Sequence, residues 1–291
     1  MKSIISSLEG THGGFVLLAP HESEIPPFFR HVAVDIRSHG ELLVEMQRFR
    51  GRVYLDDGAI LPHQLSSDGR HAVKADDDGW HLLKLNREQR VCGCVRILER
   101  TDMRNFDELT IRNCALARSA PWSRRLREAV ELEMALARRE RLWFAEIGGL
   151  AMAAERRCTT DSLRTILATF GFLQLFGGAK CVATVTTRHG CAPILRRIGL
   201  SPLILGGVEL PSYYDPQYGC EMEVLHFDSR FPNPKYLNWI GELSSYLRAA
   251  PLISAKRAPD AKPAPRTVEW PLLYPVGVEL GHHLTGPSVA Q

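Results

Sequence analysis

The chain has 291 residues, enough for one large domain or two small ones, each with a full hydrophobic core. Hydrophobic residues make up 45% and charged residues 24%, the balance of a soluble globular protein, which excludes a wholly disordered, collagen-like or coiled-coil chain. A formal net charge of +3 is too mild to mark a nucleic-acid binder, so an electrostatic partner must meet a local patch.

Residues 1–37 carry Gly13-Gly14 and Pro26-Pro27 without sustained periodicity and read as a partly ordered N-terminal segment. From Gly40 to Tyr54, Leu43, Met46, Gln47 and Arg50 are spaced for a helix, and Asp56-Asp57-Gly58 turns it off. Trp80 to Asn86 and Val91 to Leu98 are apolar runs joined by four polar residues, the pattern of a hairpin. Ser123 to Arg141 is amphipathic, with Leu126, Val130, Met134 and Ala137 near one face. Leu142 to Ala153 reads as a buried strand with one carboxylate, Glu146, and a glycine pair at 148–149 that invites a bulge.

Thr160, Asp161 and the spacing of Leu163, Ile166, Leu167 and Phe170 predict a helix closed by Gly177-Gly178. Cys181 to Thr187 predicts a strand, and Cys191, Ile194, Leu195 and Ile198 a short helix before Gly199. Leu203 to Leu210 and Glu221 to Phe227 read as two more strands, and Trp239 to Leu247 as a final helix. Residues 251–291 hold seven of the eighteen prolines and read as a C-terminal tail, leaving 38–250 as the folded domain. The element order is mixed α/β, with antiparallel strands first, unlike a doubly wound fold.

Seven cysteines without a C-x-x-C pair suggest neither a disulfide framework nor a zinc ribbon. No apolar run reaches about 18 residues, and polar residues interrupt the first nine, so no membrane span or signal peptide is expected and the cytoplasm is the expected compartment. Nucleotide-loop, zincin and nucleophile-elbow motifs are all missing. Cys92-Gly93-Cys94 puts two thiols on one side of a strand, either as core cysteines or as metal ligands; core cysteines are the expectation, and no metal site is assigned.

Two features carry chemistry. The passage from strand to helix at residues 153–160 places Arg156 and Arg157 beside free backbone N–H groups, an arrangement that suits an anion or is simply a solvated loop. Glu146 in an apolar strand needs a partner, for which Arg96 on the preceding strand is the candidate; the pair would serve as a general base with its anchor or as a purely structural bridge.

The order of elements and several short motifs resemble the GNAT acyltransferase superfamily, and within it the branch of autoinducer (acyl-homoserine-lactone) synthases and long-chain N-acyl amino acid synthases. Arg50-Gly51-Arg52-Val53-Tyr54 is similar to the branch's Arg-x-x-Val-Phe helix, and Gly93 to Leu98 to its G-x-x-R-L strand. Glu146 to Met152 resembles its E-x-S-R strand, and Ala183 to Thr187 with Ile194 to Gly199 its V-T-V-T strand and L-R-R-x-G helix. Departures are Gly149 where the branch has arginine, Ile60 near its early tryptophan, and Asp76-Asp77-Asp78, which matches its acidic pattern only loosely. Those positions serve S-adenosylmethionine in the synthases, whereas residues 211–222 look more like the aromatic connection of N-acyl amino acid synthases.

The resemblance implies a central twisted mixed sheet with splayed strands flanked by helices, and transfer of a fatty-acyl group to the amine of an amino acid or similar small molecule. The donor would be a thioester of acyl carrier protein, a partner, or of coenzyme A, with no tightly bound cofactor. Glu146 and Arg96 would be catalytic, and Arg50, Tyr54, Tyr213 and Tyr214 would shape the acceptor pocket. Gly148, Gly149, Leu150, Ala151, Met152, Thr184 and Thr186 would take the pantetheine arm, with Arg156, Arg157, Arg188, Arg196 and Arg197 meeting the carrier or its phosphate. The alternatives are an acyl-homoserine-lactone synthase using S-adenosylmethionine, an acetyl-CoA-dependent small-molecule acetyltransferase, and a non-catalytic acyl- or carrier-binding module.

Overall fold

The computed structural model describes residues 14–256 other than Glu22 and Cys158. Its centre is a ten-stranded mixed sheet. In chain order the strands are β1 (Phe15–Leu18), β2 (His31–Val34), β3 (Trp80–Leu85), β4 (Val91–Glu99), β5 (Trp143–Met152), β6 (Ala179–Thr186), β7 (Ser201–Pro202), β8 (Ile204–Leu205), β9 (Val208–Glu209), β10 (Tyr213–Asp215), β11 (Cys220–Asp228) and β12 (Pro251–Ser254). The helices are α1 (Ile36–Asp56), α2 (Ser123–Glu140), α3 (Thr160–Leu175), α4 (Cys191–Ile198) and α5 (Leu237–Ala249). Across the sheet the order is β10-β11-β6-β5-β4-β3-β1-β12-β2, with β7 on β11, while β8 and β9 form a separate two-stranded ribbon.

The mixed α/β class and its predicted strands and helices are present, with three corrections at the edges. Residues 15–34 are part of the sheet: β1 is wholly buried between β3 and β12. The four residues from Pro251 likewise form β12, parallel to both β1 and β2. Strands of four residues are too short to show a period, and only their pairing reveals them. The run from Leu203 to Leu210 is broken into the β8–β9 ribbon because Gly206 and Gly207 both take positive φ and turn the chain. The tail from residue 257 onward, with His282 and His283, lies outside the described residues.

Helix α1 starts where the Asp35 side chain accepts from Ser38 N at 3.0 Å. Leu42, Met46, Phe49 and Val53 form its buried stripe against the sheet, and Arg50 is carried into the interior on the same face. Helix α2 and the 3₁₀ turns of residues 106–118 cover the same side of the sheet over β5 and β6, where Phe144 and Val182 meet Leu126, Val130 and Met134. Helices α3 and α5 cover the opposite side, over the largest core cluster, which includes Trp80, Ile97, Ala145, Phe170 and Phe172. Burial at roughly 25 cal/mol per Å² on both faces makes this sheet the spine of the molecule. Among the described residues, no helix is long and apolar enough to cross a membrane.

Candidate active site

Strands β5 and β6 run parallel and pair only from Trp143↔Ala179 to Ile147↔Ala183. Beyond that point β6 stays with β11, pairing Thr184 with Val224 and Thr186 with Met222, while residues 148–152 of β5 pair with β4. The two strands therefore part in the middle of the sheet. The parting coincides with a bulge, where the register slips between Cys94↔Ala151 and Arg96↔Gly148, and Gly149 takes φ +64°. A Cβ at Gly149 would stand 3.2 Å from Arg50 Nη1, and one at Gly148 3.6 Å from Arg96 Nη2, so the two glycines keep the space between strand and guanidinium groups open.

A buried charge cluster fills the floor beside the bulge. Arg50, 1% exposed, donates from Nη1 and Nη2 to the two carboxylate oxygens of Asp76 at 2.9 and 2.6 Å, and from Nη2 to the His71 carbonyl at 2.5 Å. Arg96 Nη1 donates to the same carboxylate at 2.8 Å, and Gln47 Nε2 and Val73 N complete its shell at 3.1 and 3.2 Å. Burial pushes the Asp76 carboxyl up, but the Arg50 hydrogen bonds and the Arg50 and Arg96 charges outweigh it and hold the group well below the usual carboxylate range. His81 Nε2 donates to the Asp76 carbonyl at 2.8 Å. Burial lowers both His81 and His71 to about 4, so neither adds charge near neutral pH. Two guanidinium groups thus face one carboxylate, leaving a single uncompensated positive charge.

That charge has a direction. The Nε of each arginine is buried with no hydrogen-bond partner, but Arg50 uses both Nη nitrogens on Asp76, whereas Arg96 uses Nη1 alone and its Nη2 has no hydrogen bond among the described residues. Nε and Nη2 form one edge of the guanidinium plane, the fork that fits a carboxylate with two parallel hydrogen bonds. Tyr54 stands on one side, its hydroxyl donating to the Leu150 carbonyl at 3.2 Å and its ring 5.4 Å from His71. Tyr218, in the turn between β10 and β11, lies within electrostatic range of Tyr54, Arg50 and Arg96. Burial raises both phenols, which stay protonated near neutral pH.

No family model matches the chain, and no curated protein does. Solved structures do. A CoA-dependent acyl-homoserine lactone synthase, BjaI, with SAM and isopentyl-CoA superposes at TM-score 0.51 and 15% identity, over 85% of this chain and 95% of that one. The same enzyme with MTA superposes at 0.51 and 16%, with the same coverage. The chain has the acyl-homoserine-lactone synthase fold. FeeM, an N-acyl amino acid synthase from uncultured soil microbes, aligns at TM-score 0.44 and 11% identity, over 74% of this chain and 94% of that one.

Within this fold, Arg50, Tyr54, Arg96, Gly148, Gly149 and Leu150 lie close together, while Ala151 and Met152 are buried beyond them on β5. Thr184 is exposed on β6, and Thr186 Oγ1 accepts from Arg188 N at 3.0 Å. The expected Glu146–Arg96 pair is not formed, because Arg96 turns to Asp76. Glu146, 5% exposed, instead accepts from Thr110 N, Thr110 Oγ1 and Ile111 N at 2.9, 2.7 and 2.7 Å, with Arg100 Nε at 3.4 Å. Its carboxylate ties the 106–118 segment to β5.

Two tyrosines also fall elsewhere. Tyr213 packs in the α2 core cluster, and Tyr214 is 58% exposed on the far side of β10. The arginines assigned to the carrier are mostly engaged within the chain: Arg156 with Asp161, Arg157 with Asp57, Arg188 with the Asp57 and Gly219 carbonyls, and Arg196 with Glu223. Asp76 is the residue of the cluster that sequence reasoning missed. The one signal for Asp76 was its place in the loosely matching aspartate run, and nothing distinguished it from its two neighbours.

Proposed function

We propose that the protein is a cytoplasmic N-acyltransferase that moves a fatty-acyl group from a phosphopantetheine thioester, carried by acyl carrier protein or coenzyme A, to the amine of an amino acid. The observation that carries this reading is the unpartnered Nε/Nη2 edge of Arg96 beside the parted strands β5 and β6. The edge suits the acceptor's carboxylate, and the parting suits the extended pantetheine arm. Free cysteines throughout the described residues accord with a reducing compartment.

In this reading the pantetheine arm lies along residues 148–152 of β5, whose backbone N–H groups polarise the thioester carbonyl at the bulge. Arg96 holds the acceptor carboxylate, which sets the α-amine toward that carbonyl and supplies alignment. The amine nitrogen attacks the carbonyl carbon, the C–S bond breaks with its electron pair going to sulfur, and the proton lost by nitrogen is taken up by the departing thiolate. Glu146 acts as a positioning residue: it fixes Thr110 and Ile111, and the same segment supports Asp215 through Ala115 N at 3.4 Å.

A second reading, acyl-homoserine-lactone synthesis, is favoured by one observation: the structures at TM-score 0.51 are of such a synthase, one with SAM and one with MTA. SAM also carries an α-amino carboxylate, so the Arg96 edge serves either acceptor. Ile60, 2% exposed, leaves no aromatic side chain at the position where the synthases carry tryptophan, and this favours the amino acid.

Mass spectrometry of lipids from a bacterial host expressing the chain, beside one expressing Arg96→Lys, tests both readings. N-acyl amino acids present only with wild type are expected. Acyl-homoserine lactones would replace the first reading with the second. Purified protein that releases no thiol from decanoyl-CoA or decanoyl carrier protein, with amino acids or SAM present, would overturn both in favour of a binding module.

A further inference from the structure

The parted strands are bridged again at their tips by side chains. Arg157 follows β5, and its Nε donates to the carbonyl of Met152, the last residue of that strand, at 3.2 Å. Its two Nη nitrogens grip both carboxylate oxygens of Asp57, the C-cap of α1, at 2.7 and 2.9 Å. Asp57 Oδ1 lies 3.3 Å from Nε2 of His189, three residues beyond β6. Arg188 binds the Asp57 carbonyl from one Nη and the Gly219 carbonyl from the other at 2.9 Å, tying in the β10–β11 turn. Four segments therefore converge at Asp57, with Arg157 and His189 on its carboxylate and Arg188, which also holds Gly219, on its carbonyl, and they meet across the mouth of the parting.

The His189 backbone has φ +54° and is followed by Gly190 at +67°, two successive left-handed residues of which the first has a side chain. Such a conformation is strained for a residue with a side chain and persists where neighbouring contacts hold it. A bidentate guanidinium with an imidazole beside it is also the donor set that grips a phosphate.

Resting on the acyltransferase reading above, we propose that Asp57 occupies the seat of the donor's phosphate, so that entry of the phosphopantetheine arm exchanges the Arg157–Asp57 pair for an Arg157–phosphate pair and opens the strut. The arm has to pass between the tips of β5 and β6 to lie along residues 148–152, and its phosphate arrives where Asp57 now neutralises Arg157. The carboxylate competes for the same donors and repels the same charge. It thereby holds the mouth shut without donor and weakens donor affinity. Coenzyme A and the carrier-protein prosthetic group share this phosphate.

Calorimetric titration of the full chain with coenzyme A, 4′-phosphopantetheine and phosphate-free pantetheine tests the exchange in wild type and Asp57→Asn. Coenzyme A and phosphopantetheine should bind Asp57→Asn about tenfold more tightly, with pantetheine unchanged. Holo carrier protein in place of coenzyme A identifies which source gains. Hydrogen exchange on wild type needs no variant: saturating coenzyme A should speed exchange at residues 57–60 and slow it at 148–152. Equal affinities in the two proteins, a gain as large for pantetheine, or slower exchange at both segments would overturn the exchange while leaving the acyltransferase reading standing. Failure of all three compounds to bind either protein would overturn that reading and the exchange together.

Discussion

Arg50 and Asp76 form a fully buried, two-point ion pair whose carboxylate is shared with Arg96. The pair joins α1 to the segment leading into β3, and it sets the direction in which Arg96 presents its free edge. Removing one member leaves the other charged and dry, which typically costs 3–5 kcal/mol. Asp76→Asn and Arg50→Met should each lose about that much in urea unfolding, and variants within 1 kcal/mol of wild type would contradict the burial described.

The same cluster makes the fold sensitive to acid in two windows. His81 and His71 have folded values near 4 against a usual 6.5, so below pH 6.5 the unfolded chain binds protons that the fold refuses, and stability falls as pH drops from about 6.5 to 4. Asp76 has a lowered value, so its contribution is present above the usual 3.8 and is lost as pH falls further, through its depressed folded value. Thermal melts should show a falling Tm across the first window, and His81→Asn should flatten it.

Gly149 should tolerate no side chain. At φ +64° an L-residue pays about 1–2 kcal/mol, and its Cβ would press on Arg50 Nη1. Gly149→Ala should lose about that much stability, and Gly149→Arg, which introduces the residue of the branch that the sequence resembles, should lose more and abolish the proposed acyl transfer. An active Gly149→Arg protein would show that the bulge can rearrange.

Arg96→Lys separates charge from geometry, because a lysine keeps a cation beside Asp76 but has no fork. Losing a charge-assisted pair of hydrogen bonds should raise the acceptor KM about 10–100-fold while the donor KM stays within about twofold. An unchanged acceptor KM would remove Arg96 from the acceptor site.

Glu146→Gln discriminates a positioning residue from a general base. Loss of a base lowers turnover by about 10²–10⁴-fold and removes a limb of the pH–rate profile. A carboxylate that holds Thr110 and Ile111 should instead cost about tenfold with the profile intact, and Thr110→Val should do the same. A missing limb in Glu146→Gln alone would reinstate it as the base.

The sequence by itself determined the local structure of the site. Periodicity placed α1 and put Arg50 on its buried stripe, the glycine pair marked the β5 bulge, and the alternation of strands and helices from Trp80 to Phe227 announced a mixed sheet. These features depend on residues within one or two turns of each other, which is the range over which spacing is informative. Tertiary structure alone decided the partners. Arg96 lies opposite Gly148 and beside Asp76 and Arg50, so it leaves Glu146 to Arg100 and Thr110, because strand register and the path of residues 57–79 set which charges meet. Asp76, Asp77 and Asp78 are equal in composition, and only the 3₁₀ turn at Lys74–Asp76 directs the first of them inward. The short strands β1, β2 and β12 were equally silent, since four residues carry too little pattern to be read before they find their neighbours in the sheet.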